Sequence, residues 1–208
     1  MAAVPDDVAG AAEVAFASCL RDIRACRECK GALAHEPRPV VVAERRARVL
    51  IIGQAPGRIV QETGIPWNDR SGDRLRQWLQ IAYDDFYADK RIAVVPMGFC
   101  FPGTGANGDL PPRPECAPKW HRPLLTAMPD VKLTLLVGTY AQRYYLDVPR
   151  GWSLTDVVRN GPVQDAQGRV LFPLPHPSPR NLAWFKHNPW FDARTVPALR
   201  TALANAFA

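Results

Sequence analysis

Three stretches of the chain are apolar at nearly every position: Arg48–Gly53 (RVLIIG), Arg91–Met97 (RIAVVPM) and Lys132–Gly138 (KLTLLVG). A strand with one solvated face alternates apolar and polar residues, whereas an unbroken apolar run buries both faces. These three runs are predicted to be interior strands. A fourth, Val170–Leu174 (VLFPL), contains a proline, which lacks a ladder donor and belongs at a sheet edge or strand end. Between the runs the period lengthens. Leu75, Trp78, Leu79 and Ala82 share one helical face within Ser71–Tyr83. Further helices are predicted over Lys119–Met128, Thr139–Leu146 and Ala193–Phe207, and one near Val14–Ala25. Strands alternating with helices predict an α/β fold, a three-layer α/β/α sandwich around a central four-stranded parallel sheet. With 208 residues, a single domain spanning 1–208 is expected.

Ligands of such sheets bind beyond the carboxyl ends of the strands. Gly53-Gln54-Ala55-Pro56-Gly57 directly follows the first run, and Pro175-His176-Pro177-Ser178-Pro179-Arg180-Asn181 follows the last. Both are rigid and polar, and both should open on one rim of the sheet. That rim is the expected site.

Composition narrows the partners. The 47% hydrophobic and 22% charged content suits a globular chain with a real core. A net charge of +6 favours a polyanion, because Lys and Arg displace counterions from phosphates. No apolar run approaches the roughly 18 residues that span a bilayer. The start, MAAVPDDVAG, lacks a basic segment leading into an apolar one, so a cytoplasmic, nucleoid-associated monomer is expected. Of five cysteines, Cys26 and Cys29 form a C-x2-C pair, Cys100 and Cys116 follow, and Cys19 reads as a buried helical thiol. In a cytosolic chain, clustered cysteines point to metal or redox chemistry rather than disulfides.

Three segments together resemble the uracil-DNA glycosylase superfamily: GQAPG at Gly53–Gly57, GIPWNDRSGDRL at Gly64–Leu75 and HPSPRN at His176–Asn181. The early C-x2-C followed by a later cysteine pair is similar to the iron–sulfur, family-four-like branch, while HPSPRN resembles the single-strand-selective branch. The resemblance spans roughly residues 20–205. It implies an enzyme that takes a base out of the DNA stack and cleaves its glycosidic bond through an oxocarbenium-like sugar.

In that reading His176 is the leaving-group residue, a neutral imidazole N–H whose hydrogen bond to uracil O2 strengthens as negative charge develops. Gln54 stands where the iron–sulfur branch commonly carries Glu. An amide cannot accept a proton as a carboxylate does, so Gln54 positions water or touches the base. Ala55, Pro56 and Gly57 line the base site with it. Trp67 occupies the position of a stacking aromatic. Ser178, Pro179, Arg180 and Asn181 contact DNA, the long Arg180 side chain entering the minor groove. The branch's base-reading Asn is replaced by Pro96, which leaves Met97, Gly98 and Phe99 backbone groups, or Asn107, to read the base edge. Glu62, Asp69 and Asp73 lie nearby, and none is singled out as a general base. Plainer readings exist for each: a turn-capping His176, a core Trp67, a solvated Arg180.

The four thiolates of Cys26, Cys29, Cys100 and Cys116 suit a 4Fe–4S cluster or one Zn²⁺, and chemistry alone leaves a metal-free arrangement open. The resemblance implies the 4Fe–4S cluster in a structural role. Arg27, Lys30, Arg113 and Lys119 beside them are candidates for phosphate contact. The expected activity is monofunctional excision of uracil from single- or double-stranded DNA. A glycosylase for hypoxanthine or xanthine, and a non-catalytic binder of damaged or single-stranded DNA, are the alternatives.

Overall fold

A computed structural model describes residues 6–106 and 108–208; Asn107 lies outside the described residues. The four apolar runs form the parallel strands β1 (Val49–Ile52), β2 (Ile92–Val94), β5 (Leu133–Val137) and β7 (Val170–Leu174). They lie in the order β2-β1-β5-β7. Val49 pairs with Leu133, and Leu133 with Val170, so the three central strands start level. All four β1 residues are buried. Odd and even positions serve different cores. Leu50, Ile52, Ala93, Val95 and Leu136 pack against α1 (Asp6–Ala25), α5 (Cys116–Thr126) and α6 (Thr139–Tyr145). Val49, Ile51, Val94, Leu135 and Phe172 pack against α3 (Arg70–Leu79), α4 (Tyr83–Ala88), α7 (Leu154–Asn160) and α9 (Val196–Phe207). Both faces are covered, which is why the strands read as continuous apolar runs.

The sheet has five strands rather than the expected four. β6 (Val163–Gln164) adds antiparallel to β7 at Leu171 and Val170. Two residues are too few to show a period. Pro173 lies beyond this pairing. Leu174 bonds toward β5, through its carbonyl accepting from Gly138 N–H, so Pro173 turns its missing donor to the unpaired side.

The helix expected over Ser71–Tyr83 ends at Leu79. Gln80 takes a left-handed φ of 57° and donates its N–H to Arg76 and Gln77 carbonyls, and α4 begins three residues later. A short hairpin, β3 (Thr104–Gly105) and β4 (Gly108–Asp109), rises from the loop after β2. α2 (Arg58–Thr63) and α8 (Leu182–His187) complete the loops that follow β1 and β7. No described helix is long and apolar enough to cross a membrane.

Candidate active site at the carboxyl rim of the sheet

A cavity of about 410 Å³ opens over the carboxyl ends of β1, β2 and β7. Gly53, Gln54, Ala55, Pro56 and Gly57 line it from the loop after β1, Trp67 and Asp69 from the loop before α3, and Pro96 from the end of β2. His176, Ser178, Pro179 and Arg180 line it from the loop after β7. The two loops that the sequence placed on one rim thus meet over one cavity. A larger cleft of about 1190 Å³ lies at the opposite end of the strands and contains no motif residue.

His176 is held by its own loop. Its Nδ1 accepts the Ser178 backbone N–H at 3.2 Å, and its carbonyl accepts the Asn181 side-chain amide at 2.7 Å. Ser178 caps the short turn Pro179–Asn181 by accepting the Arg180 N–H. A ring whose Nδ1 is an acceptor carries its proton on Nε2. Burial lowers the His176 pKa, against the opposing pull of the Asp69 and Asp109 carboxylates, so the neutral ring is favoured. Asn181 therefore holds the loop from behind and does not line the cavity.

Trp67 lies beside His176, with ring centroids 5.7 Å apart and planes tilted by 35°. Its φ is 57°, a left-handed conformation that costs a bulky residue roughly 1–2 kcal/mol. Several contacts over-determine it. Arg76, only 5% exposed, donates to the Trp67 carbonyl at 2.9 Å and forms an ion pair with Asp73 at 2.6 Å. Tyr87 donates its hydroxyl to the Pro66 carbonyl, and its ring and that of Tyr83 lie under the Arg76 guanidinium. Gly72 leaves room for the Trp67 carbonyl, and Gly53 for the indole. Asp69 caps α3 by accepting the Gly72 N–H at 2.9 Å.

Gln54 donates its side-chain amide to the Leu110 carbonyl at 2.9 Å, which ties the β1 loop to the segment after β4. That leaves Oε1 as its group for water or base. Asp109 on β4 also lines the cavity. Of the acids singled out in the sequence, Asp69 lines the cavity, Asp73 is committed to Arg76, and Glu62 lies elsewhere on α2. Arg180 packs its guanidinium against Gly108, where a Cβ would come within 2.2 Å of Nη1.

Met97, Gly98 and Phe99, the expected base readers, are not among the residues that line the cavity. Met97 N–H donates to Gly53 O at 2.8 Å and Gly98 N–H to Gln54 O at 2.9 Å, so the β2 loop clamps the β1 loop. Phe99 O accepts the Val40 N–H at 2.7 Å. Asn107, the other expected reader, lies outside the described residues. Each of the four cations beside the cysteines has a local partner. Lys30 pairs with Glu36, Arg113 with Glu115 and Lys119 with Glu28, and Arg27 bonds the Arg24 and Cys26 carbonyls.

Sequence reasoning missed Arg76, Asp109 and His121. The signal for Arg76 was a charge inside the apolar stripe between Leu75 and Leu79. His121 on α5 is 2% exposed and bonds the Pro96 carbonyl through Nε2 at 2.9 Å, with Tyr145 on Nδ1 at 2.5 Å. It props the residue that closes the cavity floor. Burial pushes its pKa down to about 4, below the ordinary 6.5. Below pH 6.5 the unfolded chain binds a proton that the folded chain refuses, so stability falls with pH until about 4. The expected loss from this group between pH 7 and pH 5 is roughly 2 kcal/mol in urea titrations, and His121→Phe should flatten that step. An unchanged step in the variant would remove His121 as its source.

Cys26, Cys29, Cys100 and Cys116 line one small cavity between the end of α1, Pro37, Pro39 and the start of α5. Without a metal, burial pushes the Cys100 and Cys116 thiols up to about 12 and about 11. Backbone polar groups of Arg38 and Phe99 near these two sulfurs oppose that rise. Among the described residues, no three His, Cys, Asp or Glu side chains are drawn together tightly enough to hold a single metal ion.

Residues 39–200 match the family model of the uracil DNA glycosylase superfamily. The match contains every loop of the cavity and leaves Cys26 and Cys29 outside it.

Proposed function

The chain belongs to the uracil DNA glycosylase superfamily, and from that premise we propose that it is a monofunctional glycosylase that hydrolyses the bond between deoxyribose and a uracil rotated out of DNA. The observation that carries this reading is the tautomer of His176. With Nδ1 accepting from Ser178, the N–H left to a ligand is Nε2–H, on a ring that lines the cavity beside an aromatic face. As C1′–N1 breaks, its electron pair leaves with the base, and the hydrogen bond to the base oxygen strengthens with the charge. Asp69 and Asp109 place negative charge near the sugar cation. Water, oriented by Gln54 Oε1, adds its oxygen to C1′ and loses a proton to solvent or a carboxylate. The products are free base and an abasic site. Trp67 stacks on the flipped base, and Arg180 lies at the mouth to meet the DNA.

The test is release of base from single- and double-stranded oligonucleotides carrying uracil, hypoxanthine or xanthine, read by alkaline cleavage. Uracil release supports the proposal. Release of a purine alone would move the assignment to deaminated purines. Tight DNA binding without release of any base would make the chain a binder.

We also propose that the four cysteines hold a 4Fe–4S cluster. The small cavity that all four line supports it. The four thiolates would be the protein's ligands to the cluster, as they would be to one Zn²⁺. When bound, the cluster is a structural tie among α1, the Pro37–Pro39 segment and α5. Protein purified without oxygen should absorb near about 400 nm and contain about four irons per chain. Cys100→Ser should lower both. Stoichiometric zinc with no iron would overturn it.

A further inference from the structure

Beside the base cavity lies a second groove that the glycosylase reading does not use. It holds about 790 Å³ and runs between the Pro111–Pro114 segment and the outer face of α6. Residues close in sequence divide the two spaces. Pro96 lines the base cavity and Met97 the groove; Asp109 lines the cavity and Pro111 the groove. His176 lines the cavity, and Gly138, whose Cβ would touch His176 Cβ at 3.8 Å, leads into Thr139 of the groove. Gly98 lets the far wall close in, since a Cβ there would meet Pro112 at 3.0 Å. The groove is thus a lateral continuation of the cavity along the same rim.

Its wall is unusual for a helix surface. Tyr140 and Tyr144, four residues apart on α6, share one face. They are 42% and 47% exposed, while Ala141 and Gln142 point into the core. Arg143 stands exposed between them and, among the described residues, has no carboxylate partner. Two ring faces, one cation and a proline wall offer stacking, phosphate attraction and little loop entropy to lose. The two Cα positions are about 6 Å apart along the helix axis. That exceeds the about 3.4 Å rise of a stacked duplex strand, and bases inside a duplex have both faces covered. Only bases drawn out of stacking can use these rings.

We infer that this groove binds the single-stranded DNA flanking the target nucleotide, with two neighbouring bases on Tyr140 and Tyr144 and a phosphate at Arg143. The strand's continuity with the target base rests on the glycosylase reading; the groove's affinity does not. The test uses fluorescence anisotropy of the full-length protein with a uracil-free single strand of about 15 nucleotides and the matching duplex. Tyr140→Ala and Tyr144→Ala should each weaken single-strand binding about tenfold and duplex binding much less. Tyr140→Phe and Tyr144→Phe should retain wild-type affinity, and Arg143→Ala should reduce the logarithmic salt slope by about 0.7. Unchanged single-strand affinity in both alanine variants, equal weakening on both DNA forms, or no wild-type binding to either form would overturn the inference. The assay contains no uracil, so absence of base excision would sink the catalytic proposal and leave this result standing.

Discussion

Replacing His176 by alanine is expected to lower kcat on a uracil-containing oligonucleotide by roughly 10²–10³-fold while KM changes only a few-fold, because the lost hydrogen bond is strong only when the leaving base carries charge. The fold should tolerate the change. The His176 backbone carbonyl still accepts from Asn181, and Ser178 still caps its turn through the Arg180 N–H. The pH profile sharpens the expectation. A His kept neutral by burial stays in its working form below the usual imidazole pKa, so kcat should hold constant as pH falls through about 6.5 and decline only in more acid solution. Protonation would turn Nδ1 into a donor facing the Ser178 N–H, so the loop loses that hydrogen bond and the ring loses the contact that aims its Nε2–H. Single-turnover rates from pH 8 to pH 4.5 measure this. A wild-type rate that halves at or above pH 6.5, with the decline absent in His176→Ala, would show that the ring is not held neutral.

Gly72→Ala should be nearly as damaging, although alanine is the better helix former by about 1 kcal/mol. Gly72 sits in the first turn of α3, and an added Cβ would lie 1.7 Å from the Trp67 carbonyl oxygen and 2.9 Å from Trp67 Cβ. These are backbone or near-backbone atoms, held from the other side by Arg76. Either α3 or the Trp67 loop has to move, and the strained φ of Trp67 makes the loop the weaker partner. Overpacking of this kind costs about 1–3 kcal/mol, which exceeds the propensity gain. Displacing the indole from His176 should reduce kcat/KM by about 100-fold or more, since misplacement of about 1 Å near the chemistry has that effect. Calorimetry and steady-state kinetics on the one variant check both parts. Wild-type activity in Gly72→Ala would mean that Trp67 does not need its present position. Gly10, with nothing within 4 Å of its Cβ position, supplies the control alanine substitution.

Much of the site was readable because it is made of loops whose chemistry is local. GQAPG and HPSPRN are rigid by composition and follow strands that announce themselves by unbroken hydrophobicity. What failed to read were partners set by neighbouring strands. Met97 and Gly98 looked free to read a base, but their N–H groups point to Gly53 O and Gln54 O. Strand order decides this, and no short-range pattern records it. The helix end at Gln80 was hidden because Gln is not a residue that signals a left-handed cap, and β6 was too short for any period to appear.

From residue pattern alone came the parallel strands, the layers that must cover both faces, and the end of the sheet where the chemistry sits, because burial on two sides demands apolar residues throughout. Three-dimensional contact alone chose which of many polar groups act. Arg76 clamps Trp67, His121 supports Pro96, and Asp109 reaches the cavity from a hairpin. His121 and Asp109 draw their roles from groups brought near by chain crossing, while Arg76 reaches back to Trp67 across the turn into its own helix.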